Sequence, residues 1–355
     1  MKKEHWINIA KLVAILAVLV DHTYGVLYSS RSVAMASYFS VSLFILLMGI
    51  TTYWSYERNF GHLKTKVFGK IRYIIGVYLV ATACYHLSSG HAFDLHKYLY
   101  AVIHFNASSP LYFISLYVQL LLVGPFLFYS LRICLEKYSK SKVKLFLVYV
   151  LHGLGVLIIS SISTRHSNIL DIYGGGGRLF GGTYLFLFYM GMVIAENYRF
   201  LKGGCLGFVI FLLCSIGWWR FECLNQFRID AKLPFGNGFN PPSISSSLMA
   251  LLVAGTVYNF AQMLLKKERL NKIVLAGSWL GSHSLYIFLY HRFFLDFVLP
   301  KCSFLQGNIW LKRCGYMLLM VFGSIAIEFC FNWLSSEFEK CKMAVRDIAE
   351  RRENE

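Results

Sequence analysis

Apolar and polar positions alternate along the chain in blocks rather than residue by residue. Ten apolar runs lie near 6–28, 36–54, 71–87, 111–131, 144–163, 179–197, 204–221, 244–264, 278–298 and 313–334. Each approaches the roughly 20 residues that a helix needs to cross a bilayer. The pattern predicts an all-α polytopic membrane protein with about ten transmembrane helices. Charge tests this reading separately, because cytoplasmic loops are enriched in Lys and Arg. Lys2 and Lys3 precede the first run, and Arg58, Lys64, Lys66 and Lys70 follow the second. Lys137, Lys140, Lys142 and Lys144 follow the fourth, Arg199 and Lys202 the sixth, and Lys266, Lys267, Arg269 and Lys272 the eighth. The tail carries Lys340, Lys342, Arg346, Arg351 and Arg352, while the intervening loops hold only scattered basic residues. An even number of crossings with both termini cytoplasmic satisfies every loop. The expected organisation is a transmembrane domain over 1–335 and a cytoplasmic tail over 336–355, the latter an amphipathic or frayed helix.

Composition agrees. The chain of 355 residues is 57% hydrophobic and 15% charged, against about a quarter charged in soluble domains. Its net charge of +17 is accounted for by topology and anionic lipid, so no nucleic-acid partner is expected. The nine cysteines show no CxxC pair and lie mostly in apolar runs, which predicts neither a disulfide framework nor a metal site. The opening "MKKEHWINIAKL" is positively charged like a signal peptide. The long interrupted run behind it and the lack of a small-residue cleavage pattern predict a retained first helix. Two outer loops, 88–110 and 222–243, are long enough to hold structure. The run "DIYGGGGRLFGG" reads as a flexible outer turn, because no strand precedes it and no GK[ST] follows.

The exceptions inside the apolar runs carry the chemistry. The stretch "LVDHTYGVLY" puts Asp21 and His22 at the far end of the first run. Lys11 and His22 are eleven residues apart, close to three helical turns, so they share one face about 16 Å apart along the axis. Asn8 falls near the same stripe, whereas Asp21 points to the side. An ionisable group at membrane depth is costly and marks function unless it snorkels to the surface. His22 is too deep to snorkel. His291 lies at a similar depth in the ninth run, which suggests a shared polar cavity. Arg292 and Asp296 are spaced to neutralise each other, and His283 and Ser284 read as a helix start. His86, His152 and Glu328 are weaker signals. Glu328 reads either as a lone protonated acid or as the partner of a buried base, and "GWWRFE" reads as an aromatic belt with a snorkelling Arg220. Intramembrane His, Lys and Glu also suit a proton-coupled transporter or flippase, but the two halves show no repeat. A non-catalytic sensor is the third class.

Several segments together resemble the acyltransferase type 3 family of integral membrane acyltransferases. "WINIAKLVAILAVLVDHTYG" is similar to the family's first helix, with a basic residue followed eleven positions later by an essential His, here Lys11 and His22. "YFSVSLFILLMGI", "PLYFISLYVQLLLVGPFLF", "YLFLFYMGMVI" and "LGSHSLYIFLYHRFF" resemble its second, fourth, sixth and C-terminal conserved helices, in the same order. The resemblance implies transfer of an acetyl or similar short acyl group from acetyl-CoA to a hydroxyl of a cell-surface or lipid-linked glycan. The expected location is the inner or plasma membrane. It further implies a donor site at Lys11, Lys66, Lys70 and Arg72 and no metal. His22 would be the general base, with Asp21 as candidate orienter and His291 holding the acceptor or relaying a proton. Three positions depart from the family pattern. Asn8 stands where Asp is frequent, Gly69 precedes Arg72 where an R-x-x-R pair is common, and the fourth run lacks a glutamate among Leu116, Tyr117, Val118 and Gln119.

Overall fold

Hydrocarbon offers no partner to backbone N–H and C=O groups, so a chain this apolar must satisfy them within its own helices. A computed structural model describes residues 4–88, 92–138, 141–165, 181–182, 184–225, 243–302 and 308–353, and every element among them is helical. The chain divides into two compact units between Ser282 and His283.

The first unit contains α1 (His5–His22), α2 (Arg31–Met35), α3 (Ser40–Arg58), α4 (Leu63–Ser88), α5 (Leu95–His104) and α6 (Tyr112–Tyr138). It continues with α7 (Lys142–Arg165), α8 (Tyr184–Glu196), α9 (Cys205–Asn225), α10 (Ile244–Leu265) and α11 (Asn271–Ser282). The second unit contains α12 (Ser284–Phe293), a π-helical turn Phe294–Val298, a 3₁₀ turn Leu299–Lys301, and α13 (Ile309–Glu353). The glycine-rich run up to residue 180, most of the 222–243 loop, His91, Lys2 and Lys3 lie outside the described residues.

Among the described residues eight helical segments are long and apolar enough to cross a membrane, so the protein is multi-pass. They coincide with predicted runs one to five, seven, eight and ten. The remaining two runs differ from expectation. Among its described residues the sixth forms the 13-residue α8, about 20 Å of helix, against a core about 30 Å thick. Tyr184, Leu185, Leu187, Phe188, Tyr189, Gly191, Met192 and Ala195 of α8 are buried in protein, so lipid does not set its length. The ninth run is two helices, α11 and α12, separated at His283, and supplies a further span only if both segments count as one. In the tail, α13 continues through residues 335 and 336 without a break.

The first unit is organised around α3, most of whose residues are buried. Its closest neighbour is α8. A Cβ on Gly49 would meet the Phe188 carbonyl oxygen, and one on Gly191 would meet that of Leu46. Two glycines facing each other let the backbones touch, the usual way helices gain packing where lipid removes the hydrophobic drive. Tyr53 of α3 donates to the Glu196 carboxylate at the end of α8, and Trp54 Nε1 donates to the Ala195 carbonyl at 3.4 Å. At the periphery, α7 and α9 expose Phe146, Leu151, Ile158, Leu206 and Leu213, as lipid-facing helices must.

The 88–110 loop holds α5. Its N-cap is Asp94, whose Oδ1 accepts from His96 N at 2.9 Å and Lys97 N at 3.2 Å. These backbone hydrogen bonds hold the Asp94 carboxyl below the usual carboxylate range. A depressed pKa means stabilisation that is present above the ordinary Asp value and lost as pH falls through the lowered one. Asp94→Ala is therefore expected to speed amide exchange across Leu95–His104 at neutral pH. The native chain should show the same loosening only in acid, after correction for intrinsic exchange rates.

Candidate functional site

Helix α1 is fixed at its first turn. Trp6 Nε1 donates to the Tyr198 hydroxyl at 2.9 Å, and that hydroxyl donates to Glu4 at 2.7 Å. Burial, then the Glu4 carboxylate, push the Tyr198 hydroxyl upward and keep it a donor. Asn8 Nδ2 donates to Ser278 Oγ of α11 at 3.2 Å, and His5 Nδ1 lies 3.1 Å from the same oxygen. The Asn8 carbonyl lies where a Cβ on Gly281 would be, so α1 and α11 are in backbone contact. Asn8 thus serves to dock α1.

Beyond this dock, α1 presents a half-buried Lys11. The Lys70 ammonium of α4 lies 5.2 Å from the centre of the Tyr117 ring on α6. Two helices thereby bring an ammonium group and an aromatic face together, a geometry that favours a cation over the ring. Among the described residues neither lysine is in an ion pair with a carboxylate. Ammonium groups without a counter-charge favour an anion.

Lys66 lies one turn before Lys70, on a similar side of α4, and is exposed. Arg72 does not join them. Two residues correspond to about 200° around a helix, and Arg72 is exposed on the far side of α4 from Lys70. The structure therefore puts Lys66 and Lys70 on one side of α4 and Arg72 on the other.

His22 is the last residue of α1 and is half-buried. The chain turns sharply after it. Thr23 Oγ1 donates to the Leu19 carbonyl at 2.8 Å, Tyr28 donates to the Val20 carbonyl at 2.6 Å, and Gly25 has a φ of +80° that other residues rarely adopt. Asp21 is a neighbour of Tyr28. Burial first, then the Asp21 carboxylate, push the Tyr28 hydroxyl up to about 12.

In the second unit His291 is fully buried on α12. Its Nδ1 lies 2.8 Å from the Phe288 carbonyl and 3.1 Å from that of Ile287. Carbonyls only accept, so Nδ1 carries the proton and Nε2 is the ring's basic nitrogen. Arg292 and Asp296 form the expected ion pair, at 3.1 Å. Glu328 proves to be the partner of a buried base, because its Oε2 lies 2.7 Å from His283 Nδ1. Glu328→Ala is expected to destabilise the protein by about 1.5–3 kcal/mol, the scale of a hydrogen bond to a charged group. Glu328→Gln should cost less, as thermal unfolding in detergent would show.

Other polar groups serve packing. His152 Nε2 lies 2.8 Å from Ser130 Oγ, and its ring stacks on Tyr189, joining α6, α7 and α8. His86 Nε2 accepts from Asp94 N at 3.1 Å. The tryptophans of "GWWRFE" are more than a belt. Trp218 donates to Ser245 and Trp219 to the Ser32 carbonyl, while Glu222 is buried and accepts from Ser245. Sequence reasoning missed Tyr117 as a partner of Lys70 and the pairing of His283 with Glu328. No local pattern signals either, since both depend on helix placement.

The family model described as "Acyltransferase domain" matches residues 4–329. No curated protein and no solved structure matches the chain. With a match over nearly the whole length, eight membrane-length helices and Lys11 and His22 on one helix, the chain belongs to the acyltransferase type 3 family and is a multi-pass membrane acyltransferase.

Proposed function

We propose that the protein transfers an acetyl or similar short acyl group from acyl-CoA to a hydroxyl of a cell-surface or lipid-linked glycan at the cell membrane. The observation that carries this reading is the family match over residues 4–329 together with Lys11 and His22 on the one helix α1. When bound, the donor supplies an activated thioester and several phosphate charges. Lys11 and Lys70 neutralise phosphate, with Lys66 at the entrance and Arg72 as a more distant attraction from the cytosol. His22 lies on the Lys11 face about 16 Å further along α1, where it takes the proton of the attacking hydroxyl. The new O–C bond forms as the C–S bond breaks, and His22 returns its proton to the departing thiolate. Asp21 shapes the field around this end of α1. His291, with Nε2 as its basic nitrogen, serves acceptor positioning or proton transfer.

The test uses purified protein in vesicles, supplied with acetyl-CoA and candidate glycan acceptors. The expected result is release of free CoA thiol together with a gain of one acetyl mass on the acceptor. Movement of a glycan across the vesicle without thioester loss would instead support the carrier reading.

A further inference from the structure

Helix α5 has three faces, and only two of them are accounted for by protein and water. At 100° per residue, Tyr98, Ala101 and Val102 form one sector. This sector is held against α4, where the Tyr78 hydroxyl donates to the Val102 carbonyl at 2.9 Å and Tyr98 donates to the Leu79 carbonyl at 3.2 Å. His96, Lys97, Tyr100 and His104 form a polar sector, with Tyr100 and His104 stacked at 4.1 Å. Leu95, Leu99 and Ile103 form the third, an apolar stripe at i, i+4 and i+8. They are 60%, 47% and 56% exposed, so nothing among the described residues buries them. A helix resting on a water-bathed loop needs one packed face and one polar face. A third, apolar face is the mark of a helix lying at a membrane surface.

The neighbourhood identifies what covers this stripe. The helix joins α4 to α6, both of membrane length. Val80 and Leu87 of α4, and Phe93 in the connecting chain, are exposed as well. Ten residues span about 15 Å, half the thickness of the hydrocarbon core, so α5 cannot cross. We propose that α5 is an interfacial helix on the membrane face opposite the basic loops. Leu95, Leu99 and Ile103 are inserted among acyl chains, and His96, Lys97 and His104 are at headgroup level.

The native chain in phospholipid vesicles tests this without any variant. One sample contains a phospholipid with a photoactivatable diazirine in its acyl chain, and a second receives a water-soluble diazirine. Adducts are mapped by mass spectrometry. The lipid probe is expected to label Leu95, Leu99 and Ile103 at levels similar to Phe146 and Leu151 of α7, and at least several-fold above Lys97. The water-soluble probe should reverse that ratio. Lipid labelling of α7 with none on the stripe would overturn the proposal. So would labelling of the stripe by the water-soluble probe, or protection of the stripe from both probes, which would mean that a protein covers it.

Discussion

Replacing His22 with glutamine should lower acyl transfer by about 10²–10⁴-fold, the contribution of a positioned general base, while protein level and donor binding stay unchanged. An acceptor hydroxyl is almost wholly protonated at neutral pH, so without a base the attack must begin from a poor nucleophile. Glutamine keeps the size and a hydrogen-bonding end but cannot take up the proton. His22 ends α1 in a half-buried position, so the substitution removes a function from the end of a helix and leaves its packed dock untouched. Single-turnover assays in vesicles, with protein quantified in the same membranes, measure the effect. Transfer within threefold of the native rate would remove His22 from the mechanism.

Gly281→Ala should produce the second large effect, far from any reacting group. The added methyl would collide with the Asn8 carbonyl. Backbone atoms cannot rotate away as a side chain does, so α1 and α11 must separate. Overpacking of this kind costs about 1–3 kcal/mol in stability. The larger consequence is positional. Lys11 follows Asn8 by three residues, and the rest of α1 carries His22, so any shift of the dock displaces both. A misplacement near 1 Å can cost about 100-fold in rate. The expected signature is a lowered unfolding temperature, together with a loss of transfer larger than any loss of folded protein. Gly69→Ala is the control, because a Cβ there meets nothing within 4 Å. It should leave both readouts near native.

Helix content and membrane class were legible in sequence because lipid imposes one rule on every segment. Eight of the ten runs correspond to membrane-length helices. The two that differ do so for reasons a hydropathy pattern cannot contain. Helix α8 is enclosed by protein, so its length answers to α3 rather than to the bilayer. The ninth run is interrupted at His283, whose ring is held by Glu328 forty-five residues later. Helix α5 lies in the 88–110 loop, which reads in sequence as long enough to hold structure but with no helix placed in it. Its three-sector pattern, with Asp94 capping its start, was present in the sequence but hidden by the scattered polar residues around it.

The site was legible in part. The eleven-residue spacing of Lys11 and His22 follows from helical geometry, and the structure retains it on one unbroken helix. Lys70 was legible only as part of a charge cluster, because its approach to the Tyr117 ring on α6 is a tertiary fact. Arg72 shows the reverse failure. Its two-residue offset from Lys70 already places it on another side of α4, a consequence of the same 3.6-residue period that was applied to α1.

The most direct test of the account is equilibrium binding of radiolabelled acetyl-CoA to the purified protein, measured for the native chain, Lys11→Met, Lys70→Met and His22→Gln. Each lysine substitution removes a charge-assisted contact of about 1.5–3 kcal/mol. The account predicts affinity weakened roughly tenfold to a hundredfold in both, a steep loss of native binding with salt, and native affinity in His22→Gln. Undiminished binding in both lysine variants would contradict it, whatever activity they retained.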